Sequence, residues 1–202
     1  MNPITDSLYE TSYNDTLLAD LKQRFGPFQQ HHAELHVSSE GMLNMISNLR
    51  RKKSRRSEVV MVIPDTEGRI WLHRKTFYPK MTYRLMTGGI NPGEAPHLAL
   101  LREAEEETGF AVKINRCLAV ITYHLYDDEG PLPFVSYLFL TNPQAGQPQP
   151  TDTNEAIEDF WAVSPAELAE ATQRLRALQG RFRDWGLFRT VAHEVVEGYL
   201  SA

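Results

Sequence analysis

Three glutamates, Glu103, Glu106 and Glu107, stand at positions i, i+3 and i+4 of a charged segment with helical character. Side chains at these offsets are neighbours on one helical face. Carboxylates held so close repel one another unless a cation lies among them, and oxygen-rich clusters suit hard ions such as Mg²⁺ or Mn²⁺. The alternative is an ordinary solvated helix face, in which Arg102 forms an ion pair with Glu106.

The residues on both sides of these glutamates favour a metal site over a solvated face. The strand-like segment Tyr83–Met86 leads into Gly88 and Gly89, where glycine lets the backbone turn sharply and approach a ligand closely. Pro96 fits the first turn of a helix, and Gly109 fits its C-terminal end. The segment therefore predicts a strand, a glycine loop and a helix that carries the carboxylates.

The window from Gly88 to Phe110 resembles the signature of the Nudix hydrolases, G-x5-E-x7-R-E-U-x-E-E-x-G-U, in which U is a bulky apolar residue. Its defined positions hold Gly88, Glu94, Arg102, Glu103, Ala104, Glu106, Glu107, Gly109 and Phe110. Ala104 is smaller than the usual aliphatic residue, and the frequent Pro-Gly-Gly entrance is Met86-Thr87-Gly88 here. Neither departure removes a carboxylate.

The resemblance implies a divalent-metal site on the helix. The three glutamates of the signature would bind Mg²⁺ or Mn²⁺, and the backbone carbonyl of Thr87 would join Glu103, Glu106 and Glu107 as a ligand. Arg102 would orient a ligand glutamate through a charge-assisted fork. Glu106, Glu107 and Arg102 are therefore also counted among the catalytic candidates.

The loop before the helix is the predicted substrate-binding segment. The resemblance implies that Glu94 supports the site, and we place it with Gly88 and Gly89 among the substrate-binding candidates. A nucleotide-type small molecule is the expected substrate.

Hydrolysis of a pyrophosphate bond is the chemistry that the resemblance implies. The metal ions would neutralise the pyrophosphate oxygens and lower the pKa of a water molecule that attacks phosphorus in line. A general base is also required, and the acidic segment before the strand-like residues Phe160–Val163 offers Glu155 and Glu158. The alternative for these two glutamates is a polar loop that merely enters a strand.

The distribution of apolar, β-branched and turn-forming residues predicts alternating strands and helices. Strands are predicted over 58–63, 70–73, 83–86, 113–123, 134–141 and 159–163. Helices are predicted over 96–108, 165–178 and 185–200, the second of them starting in a capping box of Ser164 and Glu167. The resemblance implies that residues 57–202 form a Nudix-type α/β/α sandwich with a mixed sheet.

Residues 1–56 form a predicted extension that is mostly helical, with one helix over 8–25 and a second around Met42 to Leu49. We expect it to pack on the domain or to form a homodimer contact, with a role in substrate choice as the alternative. Its end, residues 50–56, carries six basic residues in a chain of net charge −5. A solvated connector is favoured over a polyphosphate or RNA patch, because no aromatic residues interleave these charges.

Composition limits the class of protein. A chain of 202 residues with 42% apolar residues fits one domain with extensions. The absence of a long apolar run and of a signal-peptide pattern predicts a cytoplasmic protein without membrane contact. Cys117 is the sole cysteine and is expected to be a buried thiol, not a nucleophile. The seven histidines do not cluster in sequence, so a histidine metal site is not expected.

The substrate is predicted only as a class. The expected activity is hydrolysis of a nucleoside diphosphate linked to another moiety, such as ADP-ribose, a dinucleoside polyphosphate, a nucleotide sugar or an NTP. Nucleic acid is not an expected partner. The alternative is a Nudix-like module that binds a nucleotide without turnover, but the intact set of carboxylates favours the enzyme.

Overall fold

A computed structural model describes residues 7–52, 55–152 and 155–201. Within them lie the strands β1 Gln29–His36, β2 Ser57–Val62, β3 Ile70–Lys75, β4 Arg84–Gly89, β5 Ile114–Asp127, β6 Gly130–Thr141 and β7 Ile157–Val163. The helices are α1 Ser7–Ser12, α2 Asp15–Phe25, α3 Glu40–Lys52, α4 Pro96–Thr108, α5 Pro165–Arg176 and α6 Arg183–Leu200. A short 3₁₀ helix, Gly180–Phe182, precedes α6.

The strands form one mixed sheet in the order β1-β5-β6-β2-β4-β3-β7. The pairs β1/β5 and β2/β6 are parallel, and the other neighbours are antiparallel. Side chains of β2 alternate between two apolar cores, with Val60 and Val62 on one face and Val59 and Met61 on the other. Helices α3, α5 and α6 cover the first face, and α1, α2 and α4 cover the second. The predicted α/β/α sandwich is confirmed.

Most elements begin and end within a few residues of their predicted limits. Helix α4 has the predicted bounds, and the capping box at the start of α5 is present, with Ser164 and Glu167 bonded reciprocally. The strands β4 and β5 run further toward their C-termini than predicted, so Gly88 and Gly89, which were predicted to form a loop, are the last residues of β4 and pair with β2. Strand β6 begins earlier than predicted, at Gly130.

The predicted helix over residues 8–25 is two helices. Asn14 has extended backbone torsions, with φ of −155°, and its side chain accepts a hydrogen bond from the backbone N–H of Leu17 at 3.0 Å. An extended residue that caps the following turn starts a new helix. The predicted helix is therefore interrupted between α1 and α2. The second predicted helix is α3, which is longer at both ends.

Strand β1 was not predicted, since its sequence, QQHHAELH, is mostly polar. Only Ala33 and Leu35 are apolar, and both pack against the core while the alternate residues face solvent. One apolar face is sufficient for an edge strand. The predicted division of the chain at residue 56 stays a prediction, but β1 joins the N-terminal segment to the sheet.

His193 connects α6 to β4 inside the first core. Its Nε2 accepts the backbone N–H of Leu85 at 2.9 Å, so the neutral ring carries its proton on Nδ1, which lies 3.2 Å from Thr172 Oγ1. Burial lowers the pKa of His193 to about 3, and the nearby Arg84 and Arg189 add to this effect. The folded protein therefore holds this ring neutral.

We predict that a buried neutral His193 makes stability fall in acid. Below the unfolded-state pKa of about 6.5, only the unfolded chain takes up this proton, so the stability is lost as the pH falls toward 3. The unfolding free energy of the wild type minus that of His193→Gln should decrease by about 1.4 kcal/mol per pH unit below pH 6. Urea unfolding of both proteins from pH 7.5 to 4.5 measures this. A pH-independent difference would contradict the assignment.

Candidate functional site

Strand β4 and helix α4 fit closely together because Gly88 has no side chain. A Cβ atom added to Gly88, on β4, would lie 2.0 Å from Cγ of Glu103. The Glu103 side chain therefore packs directly against the β4 backbone, a close approach that only glycine permits.

Helix α4 presents its carboxylates from a face that is largely buried. Ala99, Leu100 and Ala104 pack in the second core, and Glu103 and Glu107 are also buried, with Glu107 only 1% exposed. The helix ends at Gly109, whose φ of 70° is left-handed and whose N–H donates to the Glu105 carbonyl at 2.9 Å. These features fix the rotation of α4 relative to β4.

The loop between β6 and β7 brings a third carboxylate to the helix. Backbone N–H groups of Gln149 and Thr151 donate to carbonyls in the last turn of α4, at 2.8 Å to Thr108 and 3.0 Å to Glu106. These bonds satisfy carbonyls that the end of the helix leaves unpaired. The loop thereby carries Glu155 to the same cavity as Glu103 and Glu107.

Glu103, Glu107 and Glu155 form a carboxylate cluster, since one oxygen of each lies within 4.8 Å of the other two. The cluster lies in a cavity of about 460 Å³, which is also lined by Glu106 and by residues 87–89 at the end of β4. The structure thus brings together two of the predicted metal ligands and one of the two predicted bases.

Burial dominates the electrostatics of this cluster. It raises the pKa of Glu107 to about 7, against the opposing effect of Lys75, and it also raises the pKa of Glu103, against that of Arg102. Oε2 of Glu107 has no hydrogen-bond partner among the described residues. The nearby Nδ1 of His73 is 3.6 Å away, and burial holds the pKa of His73 well below its usual range.

An unpartnered buried carboxylate oxygen is costly, and a cation among the three carboxylates would remove that cost. The donors are all oxygen atoms, which suit Mg²⁺ or Mn²⁺ better than softer metals. The residues therefore fit the metal that the signature implies.

Lys75 is a site residue that the sequence did not reveal. Its Nζ donates to Oε2 of Glu155 at 2.6 Å and lies 3.3 Å from Oε1 of Glu107. A lysine at the end of a strand carries no sequence signal of this role. Its position depends on a register irregularity between Arg74 and Lys75 in the pairing with β7.

Arg102 holds the other side of the site together. It forms a fork with Glu94, with Nε to Oε1 at 2.9 Å and Nη2 to Oε2 at 2.8 Å, and it lowers the pKa of Glu94. It also donates to Glu103 at 2.7 Å, Glu106 at 3.0 Å and the Gly89 carbonyl at 3.0 Å. Both oxygens of Glu94 are thus engaged by the protein, which matches a supporting role.

The remaining predicted residues occupy different positions. Glu106 lines the cavity but is 39% exposed and is not part of the carboxylate cluster. Thr87 lines the cavity, and its Oγ1 accepts from Arg84 at 3.0 Å. Glu158 pairs with Arg74 at 2.9 Å and does not line this cavity, so Glu155 is the base candidate that lies at the site.

The basic segment 50–56 contributes one arginine to the site, while its residues 53 and 54 lie outside the described residues. Arg50 pairs with Asp127 at 2.7 Å, and Arg56 donates to the Leu49 carbonyl at 2.8 Å. Arg55 instead packs over the end of β4, where a Cβ on Gly89 would lie 2.1 Å from its Nη1. Arg55 therefore lines the carboxylate cavity, a role that the expected solvated connector did not include.

Cys117 is buried on β5, and burial raises the pKa of its thiol to about 12. It does not line the carboxylate cavity. This agrees with the expected structural role.

The fold and the site together define an α/β/α sandwich in which a carboxylate-bearing helix packs against the glycine end of a strand. The chain belongs to the NUDIX family, since the model of the NUDIX domain matches residues 54–185. An RNA pyrophosphohydrolase of Photorhabdus laumondii is 40% identical over 65 residues, which are 32% of this chain and 35% of that relative. The chain thus matches about a third of the length of that curated relative.

Two solved structures are similar to this chain at lower identity. A NUDIX hydrolase from Nitrosomonas europaea is 19% identical, with a TM-score of 0.49 over 72% of this chain and 88% of that one. The E. coli dihydroneopterin triphosphate pyrophosphohydrolase is 15% identical, with a TM-score of 0.48 over 64% of this chain and 92% of that one.

Among the described residues, no helix has both the length and the apolar composition needed to cross a membrane.

We predict that Gly88→Ala weakens metal binding without unfolding the protein. The added methyl group would displace the Glu103 side chain, which it would otherwise approach to 2.0 Å from Cγ. Mn²⁺ affinity, measured by electron paramagnetic resonance, should fall about tenfold or more. Gly198→Ala, in open space on α6, is the matched control and should bind as the wild type does. Unchanged Mn²⁺ affinity in Gly88→Ala would contradict the role of Glu103.

Proposed function

We propose that this protein is a metal-dependent pyrophosphohydrolase that cleaves a nucleoside diphosphate linked to another moiety. The observation that carries this proposal is the cluster of Glu103, Glu107 and Glu155, in which one oxygen of each residue lies within 4.8 Å of the other two. Among the described residues, Oε2 of Glu107 also has no hydrogen-bond partner. Family membership supports the same chemistry.

Glu103 and Glu107 of the carboxylate cluster are the proposed ligands of Mg²⁺ or Mn²⁺, with Glu106 and the Thr87 carbonyl at the edge of the site. When bound, the ion would neutralise phosphate charge and make water more acidic. The protein itself supplies the ligands and their orientation, because Arg102 bonds to both Glu103 and Glu106.

Glu155 is the proposed general base. Its carboxylate lies at the cavity, and the hydrogen bond from Lys75 fixes its position at 2.6 Å. A base must lie within hydrogen-bond reach of the attacking water, which a residue on the cavity wall can satisfy. Glu158, paired with Arg74 away from the cavity, is the less suitable of the two candidates.

A positive charge and a second cavity lie next to the carboxylate cluster, and both suit a substrate that extends beyond its pyrophosphate. Arg55 supplies a positive charge beside Gly88 and Gly89 of β4, where phosphate oxygens would lie. Arg55 and Asn91 also line a second cavity of about 440 Å³, between the N-terminal helices and residues 90–96. That cavity is the proposed site of the moiety linked to the diphosphate.

The identity of that moiety is tested by a panel of substrates. ADP-ribose, dinucleoside polyphosphates, nucleotide sugars and NTPs should be compared with each metal ion. A 5′-triphosphorylated RNA belongs in the panel because a curated relative is named for RNA pyrophosphohydrolysis.

A cytoplasmic location and a homodimer stay predictions.

We predict that Glu107→Gln abolishes turnover. The change removes the negative charge of a buried cluster member while keeping its size, so kcat should fall about 10²-fold or more. Glu106→Gln should also lower kcat strongly. Glu105→Gln, on the exposed side of the same helix, is the matched control. Full activity of Glu107→Gln in a phosphate-release assay would remove the proposed site.

We predict that Glu155→Gln lowers kcat about 10²-fold to 10⁴-fold, the usual contribution of a general base. The variant should also lose the acidic limb of the pH–rate profile, since no base remains to be deprotonated there. Glu158→Gln should keep both kcat and the profile. A normal kcat in Glu155→Gln together with a reduced kcat in Glu158→Gln would reassign the general base to Glu158.

A nucleotide-binding module without turnover is the alternative. It predicts binding of at least one compound by calorimetry, together with no phosphate or nucleotide release across the panel with either metal. Release that depends on Mg²⁺ or Mn²⁺ and is lost in Glu107→Gln would establish the enzyme.

A further inference from the structure

A second group of metal-ligand side chains lies at the opposite edge of the sheet. The parallel register of β1 and β5 places His32 opposite Thr122, and Glu34 opposite His124. Residues two apart on a strand share one face, so these four side chains lie together. His32 and Glu34 are exposed, and His124 is partly exposed. The spacing of histidines in the sequence did not predict this, because the pairing of β1 creates it.

The three ligand groups are close to one another. Oε1 of Glu34 lies 3.8 Å from Nε2 of His32 and 4.0 Å from Nδ1 of His124. One ligand atom of each residue lies within 4.8 Å of the other two. The two imidazole rings meet edge to face, with centroids 4.8 Å apart. Ligand atoms around tetrahedral Zn²⁺ are about 3.3 Å apart, given Zn–N distances of about 2.0 Å. Small rotations of exposed side chains close this gap.

Hydrogen bonds orient His32 as a ligand. Thr122 donates its hydroxyl hydrogen to the His31 carbonyl at 3.2 Å, so its oxygen is free to accept from Nδ1–H of His32 at 3.0 Å. In neutral His32 this leaves Nε2 with a lone pair on the side of Glu34. Metal-binding histidines characteristically donate their other ring N–H in this way.

The carboxylate is oriented as well. The hydroxyl of Tyr126, on the same face of β5, donates to Oε1 of Glu34 at 3.4 Å. When His32 is neutral, the lone pair of its Nε2 and the Oε1 atom of Glu34 face each other with no hydrogen between them. A cation at this point would turn that repulsion into coordination.

We propose that His32, Glu34 and His124 bind a transition-metal ion of the Zn²⁺ type. Two imidazoles and one carboxylate suit Zn²⁺, whereas Mg²⁺ prefers oxygen ligands alone. Strand β4 lies four strand steps from β1 in the sheet, a distance of roughly 19 Å at about 4.8 Å between neighbouring strands. This ion is therefore distinct from the metal proposed for the carboxylate cluster.

The site connects two distant parts of the chain. His32 and Glu34 lie in the N-terminal segment, and His124 lies on the family domain, 90 residues beyond Glu34. An ion bound by all three would hold β1 against β5. Zn²⁺ binding should therefore stabilise the docked N-terminal strand, because a ligand that binds only the folded state raises its stability.

The test is Zn²⁺ titration of the full chain by calorimetry in excess Mg²⁺, which occupies the carboxylate cluster. The wild type should bind one Zn²⁺ at this site, and His32→Gln and His124→Gln should each bind it at least tenfold more weakly. His31→Gln is the matched control, since His31 is adjacent but faces the other side of β1 and contacts Gln29. Glu107→Gln should keep the Zn²⁺ site, which separates this result from the proposed function.

Two further measurements distinguish ligation from a structural effect. Zn²⁺ should raise the melting temperature of the wild type and of His31→Gln but not that of His124→Gln, whose metal-free melting temperature should match the wild type. Co²⁺ in place of Zn²⁺ should give an absorption spectrum of nitrogen-coordinated metal in the wild type and in His31→Gln, but not in His32→Gln or His124→Gln. Wild-type Zn²⁺ affinity in both His32→Gln and His124→Gln, or no Zn²⁺ binding by the wild type, would overturn the proposal.

Discussion

The burial of two carboxylates between α4 and β4 is the constraint on which the site depends. Glu103 and Glu107 are almost fully removed from water, and burial raises the pKa of both. Buried charge is tolerated only where counter-charges or hydrogen bonds compensate it. Arg102 on one side and Lys75 on the other provide this compensation, at 2.7 Å from Glu103 and 3.3 Å from Glu107.

The sequence predicted the parts of the site that lie within one continuous segment. Helix spacing alone placed the three glutamates of the signature on one face, and Gly88 marked a close backbone approach whose partner proved to be Glu103. The sandwich followed from the family resemblance. Contributions from distant segments could not be predicted in this way, because Lys75, Arg55 and Glu155 are positioned by strand register and loop docking.

The fold of the N-terminal segment shows the same limit of prediction from the sequence. Sequence periodicity predicted α2 and α3, whose apolar residues repeat at helical spacing. It did not predict β1, because an edge strand with one partly covered face needs few apolar residues. The parallel pairing with β5 then brings together histidines that are far apart in sequence. Tertiary pairing, not local composition, decides which polar residues become neighbours.

Strand β1 also bears on how the chain folds and avoids aggregation. It pairs with residues 90 positions further along, so this contact closes a long loop and is expected to form late. Until then β5, with its apolar run Cys117–Ile121, is an open sheet edge to which another chain could add a strand. The polar outer face of β1 replaces that edge with one rich in histidine and glutamine. In the folded protein, the N-terminal segment thus covers the apolar edge of β5.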